Sequence, residues 1–541
     1  MNDIDVVLVM LLGVVASHWL ARALGDRIAM PLVQIATGAA IGLATGVGRQ
    51  LHPDLFFLLF LPPLLFLDGW RVSREDLREN MTTILSLAVG LVFFTVLGVG
   101  LLLHAMIPSL PLSVSFALAA VLSPTDVVAA TAMMQNVAIP TRLLRILQGE
   151  ALFNDASGLV CLRFAVSATL TGAFSLWDSI AAFAWIAVAG IAIGLATTWV
   201  VTTLKIKVAD RWGENTSSQI LISLLTPFGA YLLAEHLGCS GVLSAVAAGM
   251  MMSEMEINGR TLAITRVRRS TIWDTVQFTL NGVIFLLLGA QVPHIVTKAF
   301  SGTVESGHVQ PWWLAVYTLV ITVALFALRF VWVWITVTLP LVLRRVPGHA
   351  LQRPSWRLVA AMSAAGVRGT ITLAGALSLP LTLGDGSPFP ARDLVIFLAG
   401  SAIIASLLLS NLLLPVLLRN VRLPAEPNDD AAEGRARKAA ADAALAAITA
   451  TNAQGQPAEN AIEAAACVAD FYQRRLRRLR PTVPSAPARG QDRRAEGHLH
   501  VAALKAERQV IVQMVHNHEI RSDLAQKLLR ELDLREAQYE V

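Results

Sequence analysis

Between about residue 4 and residue 418 the chain alternates long apolar runs with short polar clusters. A bilayer core about 30 Å thick takes roughly 20 helical residues to cross. By that measure the chain predicts thirteen spans, at 4–21, 30–48, 54–70, 81–107, 112–136, 145–173, 179–203, 217–237, 239–256, 271–293, 311–343, 358–383 and 393–418. The third is short, and the two that meet around Gly238 leave almost no loop. The expected fold class is an all-α polytopic membrane protein.

Positive charge follows the same alternation. Even-numbered gaps between spans carry Arg49, Lys298 and Arg392. Odd-numbered gaps carry Arg22/Arg27, Arg71/Arg74/Arg78, Arg142/Arg145, Lys205/Lys207/Arg211, Arg260/Arg266/Arg268/Arg269, Arg344/Arg345/Arg353/Arg357 and Arg419/Arg422. Lysine and arginine accumulate on the cytoplasmic side of membrane proteins, so the N-terminus is expected outside and the C-terminus inside. A miscount by one span would scramble the alternation.

Composition agrees. Of the 541 residues, 55% are hydrophobic and 15% charged, against about 45–50% apolar and about 25% charged in a soluble domain. The net charge of +5 therefore reports topology rather than nucleic-acid binding. Cys161, Cys239 and Cys467 lack disulfide or zinc spacing. The N-terminus has no basic signal region, so 6–20 reads as a retained membrane helix. The division expected is 1–423 as a transmembrane domain and 424–541 as a cytoplasmic tail. The tail holds an Ala-rich stretch (431–450), a Pro-rich break (481–487) and a charged helical end (502–540). Its cluster Arg474, Arg475, Arg477, Arg478 and Arg480 reads either as an anionic-lipid contact or as a solvated helix face.

Ionisable residues inside spans are costly and mark function by default. Asp68, near the end of the third span, reads as an interfacial residue or as part of a site. Ser123-Pro124-Thr125-Asp126 lies in the middle of the fifth span. Pro124 cannot donate a helical hydrogen bond, and an acid beside it at that depth suggests a broken helix whose freed carbonyls bind a cation. A simple proline kink is the alternative, but it does not require Asp126.

In the sixth span, Gln148-Gly-Glu150-Ala-Leu-Phe-Asn154-Asp155-Ala-Ser-Gly158 puts Glu150 and Asn154 on one helical face, and Asp155 and Gly158 on another. Gly158 would admit a close neighbour beside Asp155. Desolvation favours a protonated Asp155, whereas a bound cation favours the carboxylate. Proton and metal ion therefore compete for the same oxygens. Asn154 can donate and accept without adding charge.

In the twelfth span, Gly366-Val-Arg368-Gly369 weakens the helix around an arginine inside the span. Arg368 needs a carboxylate or exposed helix carbonyls, unless it snorkels to the surface. Glu150 is the expected partner. With spans 1–6 and 8–13 as two halves, the interrupted fifth and twelfth spans correspond, the pattern of an inverted-repeat transporter. Arg163 stays unassigned. Gly38, Gly42 and Gly46 read as a packing face, and Gln277 and Asn281 as helix–helix contacts.

These motifs, with Phe60-Leu-Pro-Pro63 upstream, resemble the electroneutral sodium/proton antiporters of the monovalent cation:proton antiporter family over about residues 1–420. The resemblance implies thirteen helices with an inverted repeat, a core domain moving against a dimerisation domain, and a homodimer. It implies Asp155 as the shared proton and cation carboxylate, with Asp126 and the Thr125 carbonyl on the ion and Asp68 contributing through water. It implies a structural Glu150–Arg368 ion pair. Asn154 in place of a second aspartate implies one cation per proton. Where many members carry a serine ligand the chain has Ala151, leaving Na+, K+ and Li+ open. No cofactor is expected beyond the transported ions.

Three rival classes remain at this point. A channel or symporter would use the same broken helices, though no ring-forming pore motif is present. An intramembrane protease would use Asp126 and Asp155 as a dyad, leaving the second break unexplained. A sensor would signal through the tail. No phosphate-binding Gly-rich-Lys motif points to ATP-driven transport.

Overall fold

The computed structural model describes residues 3–25, 28–45, 53–72, 74–133, 141–171, 176–257, 262–302, 312–343, 355–383, 386–419, 429–454, 466, 468–470, 472–473, 493–517 and 519–536. Gly46, Cys467, the 423/424 boundary, the arginine cluster at 474–480 and the proline-rich break at 481–487 lie outside them. Among the described residues the chain is helical, with one isolated bridge between Thr382 and Pro388.

The membrane part comprises α1 (Asp3–Ala23), α2 (Met30–Thr45), α3 (Pro53–Arg71), α4 (Arg74–Leu85), α5 (Leu91–Met106), α6 (Leu112–Leu122), α7 (Val127–Met133), α8 (Thr141–Thr171), α9 (Leu176–Trp212), α10 (Thr216–His236), α11 (Gly241–Ile257), α12 (Ala263–Gly302), α13 (Trp312–Leu343), α14 (Trp356–Ala364), α15 (Thr370–Leu377) and α16 (Arg392–Leu418). A π-helical turn, Ser86–Gly90, joins α4 to α5. Each predicted span overlaps one helix or a consecutive pair. Among the described residues, eight helices are long and apolar enough to cross a membrane, by length and composition.

Helix and span differ at the basic ends. α9 runs on to Trp212 past Lys205, Lys207 and Arg211, and α12 starts at Ala263 before Arg266, Arg268 and Arg269. Hydropathy marks the apolar stretch, whereas lysine and arginine are good helix formers and let the helix continue beyond it. At the narrow α10–α11 junction, Gly238 takes φ +70°. The Cys239 amide then bonds the Ala234 carbonyl at 2.8 Å and the Gly238 amide bonds that of Glu235 at 3.0 Å. A left-handed glycine thus ends one helix within two residues.

Of the apolar clusters among the described residues, two meet at α8. One joins α5, α6, α8, α13 and α16 around Val99, Leu118 and Leu398. The other joins α1, α3, α11 and α12 around Met10, Val246 and Leu286, and meets α8 at Leu152 and Ala156. On α2, Gly38 and Gly42 face the backbone of Leu286 and Ala290 in α12, where an added Cβ would overlap main-chain atoms.

In the tail, helices Asp429–Gln454, Arg493–His516 and Ser522–Glu536 share a core of Ala436, Ala440, Leu504, Ile511 and Leu528. The last of them docks on the start of α12, where Arg266 reaches Asp533 at 2.6 Å and Glu536 at 3.2 Å. Arg508 also binds Asp533.

Candidate functional site

The breaks fall where the backbone cannot stay helical. α6 stops at Leu122, before Ser123-Pro124-Thr125-Asp126, and α14 stops at Ala364, before the glycines flanking Arg368. The two non-helical segments touch: the Asp126 amide donates to the Val367 carbonyl at 2.8 Å.

Four half-helix ends therefore converge inside the bundle, two presenting free carbonyls and two free amides. Arg368 answers the carbonyl ends, its Nε donating to Leu122 O at 2.7 Å and its Nη1 to Gly366 O. Arg329 of α13 adds a bond from Nε to Met362 O at 3.2 Å. Asp126 answers the amide ends. Its Oδ1 accepts from the Ala129 amide at 3.1 Å, and its carboxylate lies against Gly369, which precedes α15. Cations at C-termini and an anion at N-termini match the helix dipoles.

The expected Glu150–Arg368 pair is replaced by another. Glu150 accepts from Arg329, Nη1 to Oε1 at 2.5 Å and Nη2 to Oε2 at 2.7 Å. Arg368 is occupied by carbonyls at the crossing, which the sequence already allowed. Arg329 was missed, although it is a single arginine in the apolar run of α13 and the cost of a buried charge would have marked it. Asp274, half-exposed near one end of its span, was also missed.

From Glu150 a chain of bonds leads to the break. Thr125 Oγ1 donates to Glu150 Oε1 at 3.1 Å, and Asn154 Nδ2 donates to Thr125 Oγ1 at 2.8 Å. The Thr125 hydroxyl thus spends its proton and one of its two lone pairs on this chain. Gly158, one turn past Asn154, packs on the Pro124 ring, where any side chain would clash.

A cavity of about 450 Å³ opens beside the crossing. Its wall includes Asp68 of α3, Thr125 and Asp126 of the first break, and Ala151 and Asp155 of α8. A water needs about 10–15 Å³ of such space, so a partly hydrated cation fits. Asp155 is buried, at 7% exposed. Of the ion-binding residues expected from sequence, Asn154 alone is off this wall, sitting behind Thr125, and the expected ion-pair residues Glu150 and Arg368 also lie off it. Arg71, Asp274 and Gln277 line the same cavity toward the surface. Arg71 donates to Asp274 at 2.7 Å and to Gln277 at 2.6 Å, and its ion pair is half-exposed. Asn281 lines the wall beside them. Arg163 lies elsewhere, paired with Glu235 of α10 at 3.1 Å.

Comparison with known proteins gives a consistent match. The model of the family described as "Sodium/hydrogen exchanger, transmembrane" matches residues 7–420. The uncharacterized Na(+)/H(+) exchanger YjcE of Escherichia coli is 37% identical over 544 residues, covering 98% of this chain and 98% of that protein. A Bacillus pumilus protein named as a sodium, potassium, lithium and rubidium/H(+) antiporter is 40% identical over 420 residues. That match covers 77% of this chain and 61% of the relative. The solved sodium proton antiporter MjNhaP1 of Methanocaldococcus jannaschii superposes with a TM-score of 0.58 at 17% identity. It covers 78% of this chain and 99% of that structure, a likeness of fold.

Proposed function

The chain belongs to the sodium/hydrogen exchanger family, transporters rather than enzymes, and from that premise we propose that it exchanges a monovalent cation for a proton at Asp155 by alternating access. The observation that carries this is the placement of Asp155: buried, on the wall of a hydrated-ion-sized cavity, together with Asp126, Thr125 and Asp68.

The mechanism follows from electrostatics. An ionised, unpaired carboxylate is expensive to carry through a low-dielectric barrier. Asp155 bearing a proton, or Asp155 with a cation, is neutral overall. The body carrying the crossing moves against α3 and α12 only in these two states, so each proton moved one way is matched by a cation moved the other. Asn154 contributes no second titrating charge, which supports an electroneutral cycle.

Na+ is the proposed substrate, with K+ and Li+ as alternatives. The Bacillus relative is named for all of these, and Ala151 withdraws one hydroxyl from the site. The topology we propose has thirteen crossings in a bacterial cytoplasmic membrane, with the N-terminus outside and residues 424–541 in the cytoplasm. The charge alternation supports it. Under that orientation the cavity mouth at Arg71 and Asp274 faces inward. A homodimer and a role in pH and sodium homeostasis follow from the family resemblance.

The test is reconstitution into liposomes containing a pH-sensitive dye, with Na+, K+ and Li+ added in turn to the wild type and to Asp155→Asn. The wild type moves protons against at least one cation. Exchange persisting in Asp155→Asn would remove the assignment.

A further inference from the structure

Thr372 lies in the first turn of α15, on the wall of the same cavity as Asp155, Asp126 and Thr125. Its residue surface is 1% exposed, and its hydroxyl has no hydrogen-bond partner among the described residues. Helical threonines ordinarily donate to the carbonyl four residues back. Thr37, Thr169, Thr226, Thr275 and Thr318 all do so here, at 2.7–3.0 Å.

Thr372 has no such helical carbonyl. Four residues back is Arg368, inside the non-helical break, because α15 begins only at Thr370. The break therefore releases the hydroxyl from the backbone and leaves it beside a cavity lined with carboxylates. A buried hydroxyl without a partner is destabilising unless something in the cavity completes it. Across the cavity, on the helix of Asp155, Ala151 offers only a methyl group.

We propose that the Thr372 hydroxyl is an oxygen ligand of the transported cation and helps set which cation is preferred. A hydroxyl oxygen is a neutral donor to a small cation. It adds coordination without altering the single negative charge that Asp155 contributes, so the neutral-site requirement of the cycle is kept. Because the ligand is fixed to the half-helix beyond the break, it also ties the cation to the moving crossing. The inference rests on the exchange reading of Asp155.

The test measures reconstituted exchange against cation concentration for Thr372→Val, Thr372→Ala and Thr372→Ser, with Asp155→Asn alongside. Valine keeps the shape and removes the oxygen; alanine repeats the removal if valine fails to fold; serine keeps the hydroxyl. Thr372→Val and Thr372→Ala are expected to raise the half-saturating cation concentration about tenfold, to change the ranking of Na+, K+ and Li+, and to leave the maximal rate near that of wild type. Thr372→Ser is expected to stay near wild type. Half-saturating values within twofold of wild type in the oxygen-free variants, or a rise that Thr372→Ser shares, would overturn the proposal. If Asp155→Asn still exchanges, the reading of the whole site fails instead.

Discussion

Glu150 of α8 and Arg329 of α13 face each other across the bundle in a two-pronged ion pair, both side chains nearly inaccessible to water. Through Thr125 and Asn154 the pair also braces the first break. Removing one member leaves the other as an unmatched buried charge, which costs about 3–5 kcal/mol. Glu150→Ala and Arg329→Ala are therefore expected to lower the thermal unfolding temperature of detergent-purified protein by several degrees. Arg163→Ala, which breaks only an exposed pair, serves as the near-neutral comparison.

Gly369 of the second break packs directly against Asp126 of the first. A methyl group there would occupy the space of the Asp126 carboxylate. Gly369→Ala should displace Asp126 from the α7 amides and from the cavity wall. Exchange is expected to fall at least about tenfold, given that a 1 Å misplacement of a site group can cost about a hundredfold. Near-normal rates would show that Asp126 tolerates displacement.

Asn154 donates to Thr125, whose own proton is committed to Glu150. Asn154→Asp would place a second carboxylate against that hydroxyl with no proton left to share. The variant is expected to lose stability and, where it still transports, to become sensitive to membrane potential. Clamping the potential of proteoliposomes with a potassium ionophore measures this. A rate independent of potential would contradict the assigned role of Asn154.

In the tail, a hydrogen bond from Lys527, joined by one from Arg437, holds the Glu433 carboxyl below its ordinary range; a hydrogen bond from Arg437 does the same for Glu531. A depressed folded-state value stabilises the fold above the ordinary glutamate range, near pH 4.3, and that stability is lost as pH falls through the folded value. The groups are partly exposed, so the effect is modest. Protection against hydrogen exchange over Asp429–Gln454 and Ser522–Glu536, corrected for the intrinsic pH dependence of amide exchange, is expected to fall below about pH 4 and to be flat between pH 6 and 8. A loss of that corrected protection on raising the pH from 6 to 8 would contradict the sign.

Much of this arrangement is legible in the chain because the constraints are local. Pro124 lacks an amide proton, and Gly366 and Gly369 lack side chains, so the interruptions are written at fixed positions. Asp68, Asp126 and Asp155 stand out because charge is rare in an apolar span, and the fold brings them to one cavity. What stayed hidden depends on distances between helices. Nothing within the sixth or eleventh span says that Glu150 meets Arg329 rather than Arg368. The extensions of α9 and α12 escape hydropathy because their polar ends are helical without being apolar. The unpartnered hydroxyl of Thr372 emerges only once the start of α15 is located.

The central claim is that one buried carboxyl holds either a proton or a cation. Cation binding to such a site must release the proton it displaces. Adding Na+, then K+ or Li+, to detergent-solubilised protein in weak buffer, over a series of starting pH values, and recording the pH change measures this directly. The account predicts saturable release approaching about one proton per chain at the lower starting pH values, and none from Asp155→Asn. Equal release from that variant, or saturable cation binding with no proton released at any starting pH, would contradict it.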